Sequence, residues 1–411
     1  MNLEMSADRA EGTNTPAIHA TSATPASWGA VFALSLGAFV LVASEFMPVS
    51  LLTPIAGELA ISEGQAGQAI GVSGAFALLT SLFISKLAGR LDRKTLLLAL
   101  TLLMIASGTL AAFAPDYFSF MVGRALIGVA IGGFWSMSAA TALRLVPPQD
   151  VPRALAIVNG GNALATVVAA PLGSFLGGVV GWRGAFFAIV PIAAIALAWK
   201  FASLPAMPAA GGAASGNVFR LLRRPAVAFG MAGASLFFMG QFALFTYLRP
   251  FLESVTGVGV ATLSLLLLVL GVAGFVGTVL IGRFLDKGLY RTLVLIPAAM
   301  AVIALALIAF GSSLAATGIL LAVWGLIATA APVGWWTWLA KSLPDDAEAG
   351  GGLMVAVVQL AIMLGATAGG LLFDASGYRA SFGASAGLLV LASVLAVLAA
   401  LAERADKPGK Q

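Results

Sequence analysis

One carboxylate, Glu45, stands in the run Val42-Ala43-Ser44-Glu45-Phe46-Met47-Pro48-Val49-Ser50-Leu51-Leu52-Thr53-Pro54, inside a stretch long enough to cross a bilayer. The other 16 of the 17 acidic residues fall in tails, in loops or at the ends of apolar stretches. An ionisable side chain at mid-bilayer costs roughly 2.5 to 3.5 kcal/mol even on the lenient insertion scale, so one retained there points to function. The chemistry open to it is proton exchange. Burial favours the neutral form of a carboxyl and a nearby cation the ionised form, so a carboxyl whose surroundings alternate can load a proton on one side and release it on the other. The competing reading is a structural acid tied to a neighbouring helix or reaching the outer interface.

Arg124 is the natural cation to set beside it, being an arginine well inside another apolar stretch. Protonating Glu45 would then free Arg124, or a substrate group sharing the carboxylate. The alternative is an Arg124 held permanently by backbone carbonyls or by Gln241. The Glu45 stretch has an echo in Gln241-Phe242-Ala243-Leu244-Phe245-Thr246-Tyr247-Leu248-Arg249-Pro250, 196 residues later, matching Glu45 with Gln241, Phe46 with Phe242, Ser50 with Thr246 and Pro54 with Pro250. One copy keeps an acid and the other a neutral amide.

The elements that must position these groups follow from composition. The 411 residues are 60% hydrophobic and 9% charged, which a water-soluble exterior does not permit. An all-α integral membrane protein is expected. Cysteine is absent and the single histidine, His19, lies in a polar tail, so no thiolate chemistry, histidine triad or zinc cage is available. The net charge of +5 would suggest nucleic acid in a soluble protein, but here the basic residues sit in short loops and mark topology.

Apolar spans are expected at about 28–54, 66–88, 95–114, 118–142, 152–177, 184–202, 226–250, 260–285, 292–312, 315–340, 350–373 and 380–402, each near or above the ~20 residues that cross a hydrocarbon core. Residues 1–27 and 403–411 read as cytoplasmic tails, the first disordered and without a signal peptide. Arg90, Arg93, Lys94, Arg144, Arg153, Lys200, Arg220, Arg223, Arg224, Arg283, Lys287 and Arg291 fall in alternate loops, which places both termini in the cytoplasm. The Pro- and Gly-containing connection 203–224 separates a six-helix unit, 28–202, from a second, 225–402. Gly181-Trp182-Arg183 returns as Gly377-Tyr378-Arg379, and Arg144-Leu145-Val146-Pro147 as Lys341-Ser342-Leu343-Pro344. Parallel repeats of this kind hold substrate between the halves near mid-membrane. Arg124-x-x-x-Gly128-x-x-x-Gly132, and Gly173 with Gly177, have the spacing of close helix packing.

From residue 28 to 402 the chain resembles the major facilitator superfamily, and within it the twelve-helix drug:proton antiporters. Ser85-Lys86-Leu87-Ala88-Gly89-Arg90-Leu91-Asp92-Arg93-Lys94 is similar to the family's loop between helices 2 and 3, with Gly89 in place of its aspartate and Asp92 in place of a glycine. Its copy Gly282-Arg283-Phe284-Leu285-Asp286-Lys287 keeps the aspartate. The resemblance implies gating roles for Arg90, Asp92, Arg93, Gly282, Asp286 and Lys287, with the first latch altered. Arg124-x-x-x-Gly128 matches the fourth-helix motif linked to proton coupling; Ala170-Pro171-Leu172-Gly173-Ser174 matches the antiporter motif only in part. The runs Glu45 to Pro54, Gly133-Phe134-Trp135-Ser136-Met137-Ser138-Ala139, Arg144-Leu145-Val146-Pro147-Pro148, Gly240-Gln241-Phe242-Ala243 and Pro332-Val333-Gly334-Trp335 are similar to bacterial inner-membrane exporters of purine ribonucleosides.

A nucleoside offers a flat base and a hydroxylated sugar, so its site should pair aromatic faces with amides or hydroxyls. Asn159, Asn162 and Thr166 share a face of the fifth span, Gln359 occupies the repeat position of Asn162, and Phe245 lies one turn beyond Gln241. Trp135 shares a face with Ser138, and Trp335 with Trp338. For each of these, interfacial or interhelical packing is the competing role. A monomeric, proton-driven exporter of inosine- or guanosine-like solutes is thus expected, without cofactor or metal, with sugars or hydrophobic drugs as the alternative cargo. A membrane enzyme lacks a paired-carboxylate centre, and without a Gly-x-x-x-x-Gly-Lys-Ser/Thr loop the chain is no ATP-driven pump of that type.

Overall fold

The computed structural model describes residues 26–87, 91–208, 218–344 and 346–405. The first 25 residues, Ala88, Gly89 and Arg90, the middle of the connection at 209–217, Asp345 and the last six residues lie outside them, and with them most of the expected tails. Eleven helical segments among the described residues are long and apolar enough to span a membrane. In chain order the helices begin with α1 (Trp28–Glu58), α2 (Glu63–Leu87), α3 (Arg93–Ala112), α4 (Tyr117–Leu145) and α5 (Val151–Ser203). After a 3-10 turn (Val218–Arg223) come α6 (Pro225–Phe245), the one-turn α7 (Leu248–Phe251) and a π turn (Leu252–Thr256). The rest are α8 (Val260–Leu280), α9 (Gly282–Phe310), α10 (Leu314–Ala328), α11 (Ala331–Ser342), α12 (Ala347–Ser376) and α13 (Tyr378–Ala405).

The twelve expected spans are present, with four departures in continuity. Spans five and six form the single element α5, interrupted only by Gly181 at φ 74°, ψ 164°. A straight helix of its 53 residues would be ~80 Å long, over twice a hydrocarbon core. The chain reverses instead: Ser35 of α1 donates to the Ile157 carbonyl at 2.7 Å, while Gly29, at the same end of α1, lies against Ser203 and Trp199. The repeat position Gly377 turns α12 into α13 at φ 75°, ψ −176°. Both glycines occupy a region essentially closed to residues with a Cβ, which is the physical content of the repeated Gly-aromatic-Arg motif. The residue after each glycine anchors the turn through aromatic contacts, Trp182 against Phe120 and Phe186, Tyr378 against Phe251 and Phe382. The seventh span breaks at Thr246–Tyr247, between α6 and α7, and the tenth at Thr329–Ala330, between α10 and α11. The loop expected between spans eight and nine is instead the start of α9, bent at Gly288.

Two apolar cores form. One draws almost wholly on residues between 30 and 207, the other on residues between 221 and 396, with Val49, Ile70 and Ala170 joining the second and Tyr247 the first. The spaced glycines mark close approaches: a Cβ on Gly128 or Gly132 would strike the Ser73 or Ala77 carbonyl of α2, and one on Gly173 or Gly177 would meet Ser50 or Leu51 of α1. Residues 26–208 and 218–405 meet mainly at the end away from the chain termini. There Asp374 of α12 accepts from Ser62 Oγ at 2.5 Å and from the Gly64 amide at 2.9 Å, and Gly74 lies against Gln359 and Met363. Phe46 of α1 stacks on Phe242 of α6 at 5.7 Å between ring centroids.

Lys200, expected among the loop cations, is buried in the last turn of α5, where Nζ donates to Thr101 Oγ1 at 2.9 Å and lies 5.4 Å from the Phe134 ring centroid, in space left by Gly37. Spacing alone placed it at a span end, but α5 continues to Ser203 and turns the side chain inward.

Alanine at Gly181 or Gly377 should cost about 1–3 kcal/mol of stability. Alanine at Gly160, which is helical with open space beside it, should be neutral or slightly stabilising. Equilibrium unfolding of the purified variants in detergent checks this, and equal stability of Gly181→Ala and Gly160→Ala would contradict the turn assignment.

Candidate functional site

α1 carries two prolines within its helical run, Pro48 and Pro54. Proline has no amide hydrogen, so the carbonyls four residues earlier, Ser44 and Ser50, lose their helical donors. In a membrane interior an unpaired carbonyl costs several kcal/mol, and partners must come from neighbouring helices. Arg124 of α4 supplies the first. Its Nη1 donates to Ser44 O at 2.8 Å and Nη2 to Glu45 O at 2.9 Å, while Nε reaches Ala69 O of α2 at 3.2 Å and Nη2 also lies 3.4 Å from Ser73 Oγ. The guanidinium is fully buried and clamps α1, α2 and α4 at the level of Glu45. An arginine with five fixed donors suits this cluster of carbonyls.

Of the two arrangements expected for Arg124, the geometry is that of bonding to backbone carbonyls. Arg124 takes the backbone of Glu45, not its carboxylate, and does not bond Gln241. Its guanidinium nonetheless lies on the backbone of the same residue. Glu45 itself is 5% exposed and, among the described residues, its carboxylate forms no hydrogen bond or ion pair. The carboxyl is thus buried and without a hydrogen-bond partner, on the residue whose backbone holds the guanidinium.

Next to Glu45, the stacked Phe46 and Phe242 form part of the wall of a cavity of about 80 Å³ at the seam. Thr166 and Ala169 of α5, Gln241 and Phe245 of α6, Leu270 of α8, and Trp324 and Thr329 at the end of α10 also line it. Gln241 Oε1 is buried without a partner, an acceptor at the cavity wall. The volume falls below the ~300–1,000 Å³ of drug-sized sites, so admitting a solute requires the walls to part.

The other expected binding residues lie elsewhere. Trp335 and Trp338 are fully buried in the second apolar core, edge-to-face at 6.0 Å, with Trp338 Nε1 donating to Tyr290 OH at 3.0 Å and their rings against Gly233 and Gly230 of α6. Their shared face is a packing face. Trp135 is half-buried and edge-on to Phe134. Asn159 is exposed and donates to Leu155 O of its own helix at 3.0 Å, and Asn162 is half-buried, so of that trio only Thr166 reaches the cavity. Gln359 is buried where α12 meets α2, its Oε1 unpaired. Trp324 was missed, since nothing in spacing separates it from the other tryptophans.

Among the described residues, the expected gating side chains do not bridge the halves. Asp92 caps α3 through the Lys94 amide at 2.8 Å and accepts from the Met207 amide at 2.6 Å, while the Arg93 amide donates to Met207 O at 3.0 Å. An aspartate where the family has glycine thus docks the start of the connection onto the first half. Gly282, Asp286 and Lys287 are exposed, and the two charged side chains make no hydrogen bond or ion pair among the described residues.

Twelve spans in two pseudo-symmetric bundles with a cavity at their seam define a secondary transporter fold. The sequence matches the Major Facilitator Superfamily model over residues 34–361. The chain belongs to this superfamily: it is a multi-pass membrane transporter and not an enzyme. It is 42% identical over 377 residues to the purine ribonucleoside efflux pump NepI of Escherichia coli strain K12, covering 92% of this chain and 95% of that one. It is 63% identical over 378 residues to the transcription regulatory protein OpdE of Pseudomonas aeruginosa, covering 91% and 94%. The fold also resembles that of a bacterial homologue of the human lysosomal transporter Spinster in its inward-facing, unoccupied conformation, with a TM-score of 0.76, 17% identity, and coverage of 94% of this chain and all of that one.

Arg124→Leu should destabilise the protein by roughly 1–3 kcal/mol by orphaning the carbonyls it serves. The loss should shrink when Pro48→Ala returns an amide donor to Ser44, a coupling a double-mutant cycle measures. Strict additivity would contradict the assignment.

Proposed function

We propose that the chain exports purine ribonucleosides of the inosine or guanosine type from the bacterial cytoplasm in exchange for protons, by alternating access across the inner membrane. The observation that carries this reading is the seam cavity, walled by the Phe46–Phe242 stack and the unpaired acceptor of Gln241, one residue along α1 from the buried carboxyl of Glu45. Stacked aromatic faces suit a purine and amide or hydroxyl groups suit a ribose. The 42% identity to a purine ribonucleoside efflux pump supports the same cargo.

In this reading the monomer has both termini in the cytoplasm, and residues 28–202 and 225–402 rock as two bodies joined by 203–224. The end opposite the termini faces outward and is shut in the present conformation. Glu45 takes a proton when the seam opens outward and yields it inward, while Arg124 holds the surrounding backbone and provides the local positive charge. One entering proton at 100 mV releases about 2.3 kcal/mol, enough to move a neutral solute against roughly a fiftyfold gradient. Gln241 binds cargo with Phe245 and Thr166; Asn159, Asn162, Trp135 and Gln359 line the route the cavity takes when its walls separate.

The relative named for transcription regulation favours a second reading, a transporter fold whose solute flux, or whose occupancy, alters gene expression. Reconstituted transport separates the two, because a pure sensor moves no solute. Proteoliposomes with an imposed pH gradient should concentrate radiolabelled inosine, and unlabelled guanosine should compete better than arabinose or a lipophilic cation. Glu45→Gln should abolish gradient-driven accumulation yet retain inosine–inosine exchange. Equal accumulation by the variant would remove Glu45 from coupling, and better competition by arabinose would reassign the cargo to sugars.

A further inference from the structure

Ser50 is the second α1 residue whose carbonyl a proline leaves without a helical donor, because Pro54 stands four residues on. Its hydroxyl gives no help, being turned onto the Met47 carbonyl at 3.0 Å. The donor comes from across the seam: Nη1 of Arg249, on the one-turn helix α7, bonds Ser50 O. Arg249 is buried, and its Nε is held at 2.8 Å by Glu253 one turn along, whose second oxygen is buried without a partner.

We propose that Arg249 is the gate residue of the end away from the termini: it shuts that end by filling the carbonyl orphaned by Pro54, and the bond breaks and re-forms in each transport cycle. Arg124 and Arg249 use the same chemistry on the same helix, yet all the partners of Arg124 lie in its own half. That clamp travels with its bundle, whereas the Arg249 bond joins the two. Together with Ser62 and Gly64 on Asp374 it is one of the hydrogen bonds that cross the seam, and these lie at a single end.

The local structure suits reversible parting. α7 is bounded by the break at Thr246–Tyr247 on one side and by the π turn on the other, both departures from regular helix of the kind found at functional hinges. When the halves separate, Glu253 keeps the guanidinium paired and entering water satisfies Ser50 O, so neither group is stranded. Tyr247, whose hydroxyl donates to Ala366 O at 2.7 Å, wedges against Gly67 of α2 and completes the closed surface.

The chain has no cysteine, so two introduced thiols carry spin labels at chosen sites only. Gly57 and Ala375, both exposed, report the shut end; Leu143 and Lys341, also exposed, report the other. Electron–electron double resonance on the full-length protein in nanodiscs should show a longer-distance population between 57 and 375 in Arg249→Gln, accompanied by a shorter one between 143 and 341. Pro54→Ala, which returns a helical donor to Ser50 without touching Arg249, should shift both pairs in the same directions, and Arg249→Lys should keep the parent distribution. Unchanged distances in Arg249→Gln and Pro54→Ala, or broadening at both ends alike, would overturn the gate assignment. These distances depend on alternating access but not on the cargo, so they stand apart from failure of inosine transport.

Discussion

A carbonyl inside a bilayer has no water to turn to, and α1 contains two that its own helix does not satisfy. Pro48 and Pro54 create them, and two buried arginines fill them, Arg124 from within the first bundle and Arg249 from the second. Everything near the seam is arranged around that requirement. Glu45 lies between the two vacated positions, so the arginine that completes the backbone also sets the electrostatics of the titratable side chain. A charged donor is used where a neutral one would satisfy the geometry, and its field acts on the neighbouring carboxyl.

Close packing supports the arrangement. Glycines at 128 and 132 bring α4 against α2, those at 173 and 177 bring α5 against α1, and the Arg124 side chain spans the space these contacts define. The two bundles meet through smoother surfaces, glycines of α2 against α12, with few directional bonds. Rigid units joined by a sparse interface are what alternation between two packings requires.

Much of this was legible in the sequence. Twelve apolar spans, the repeated Gly-aromatic-Arg turn and the buried position of Glu45 follow from hydropathy, repeat offset and the cost of charge in hydrocarbon. The helix-packing role of the glycines follows from four-residue spacing. What escaped was the partner choice of polar groups. Carbonyl acceptors leave no trace in a sequence except a proline four residues on, and Pro48 and Pro54 were that trace for Arg124 and Arg249. Periodicity gave Trp335 and Trp338 a common face, but a face against another helix and a face against a cavity are equally apolar, so Trp324 went unnoticed beside them. Lys200 and Arg249 sit near span ends, where a difference of one turn decides between a loop cation and a buried one.

The central claim is that Glu45 exchanges its proton in step with cargo at the seam. Its most direct test is the count of protons released when inosine binds the purified protein in weakly buffered detergent solution, followed with a pH indicator. The parent should release protons in proportion to inosine bound, and Glu45→Gln should bind inosine without release; equal release from both proteins would contradict the account.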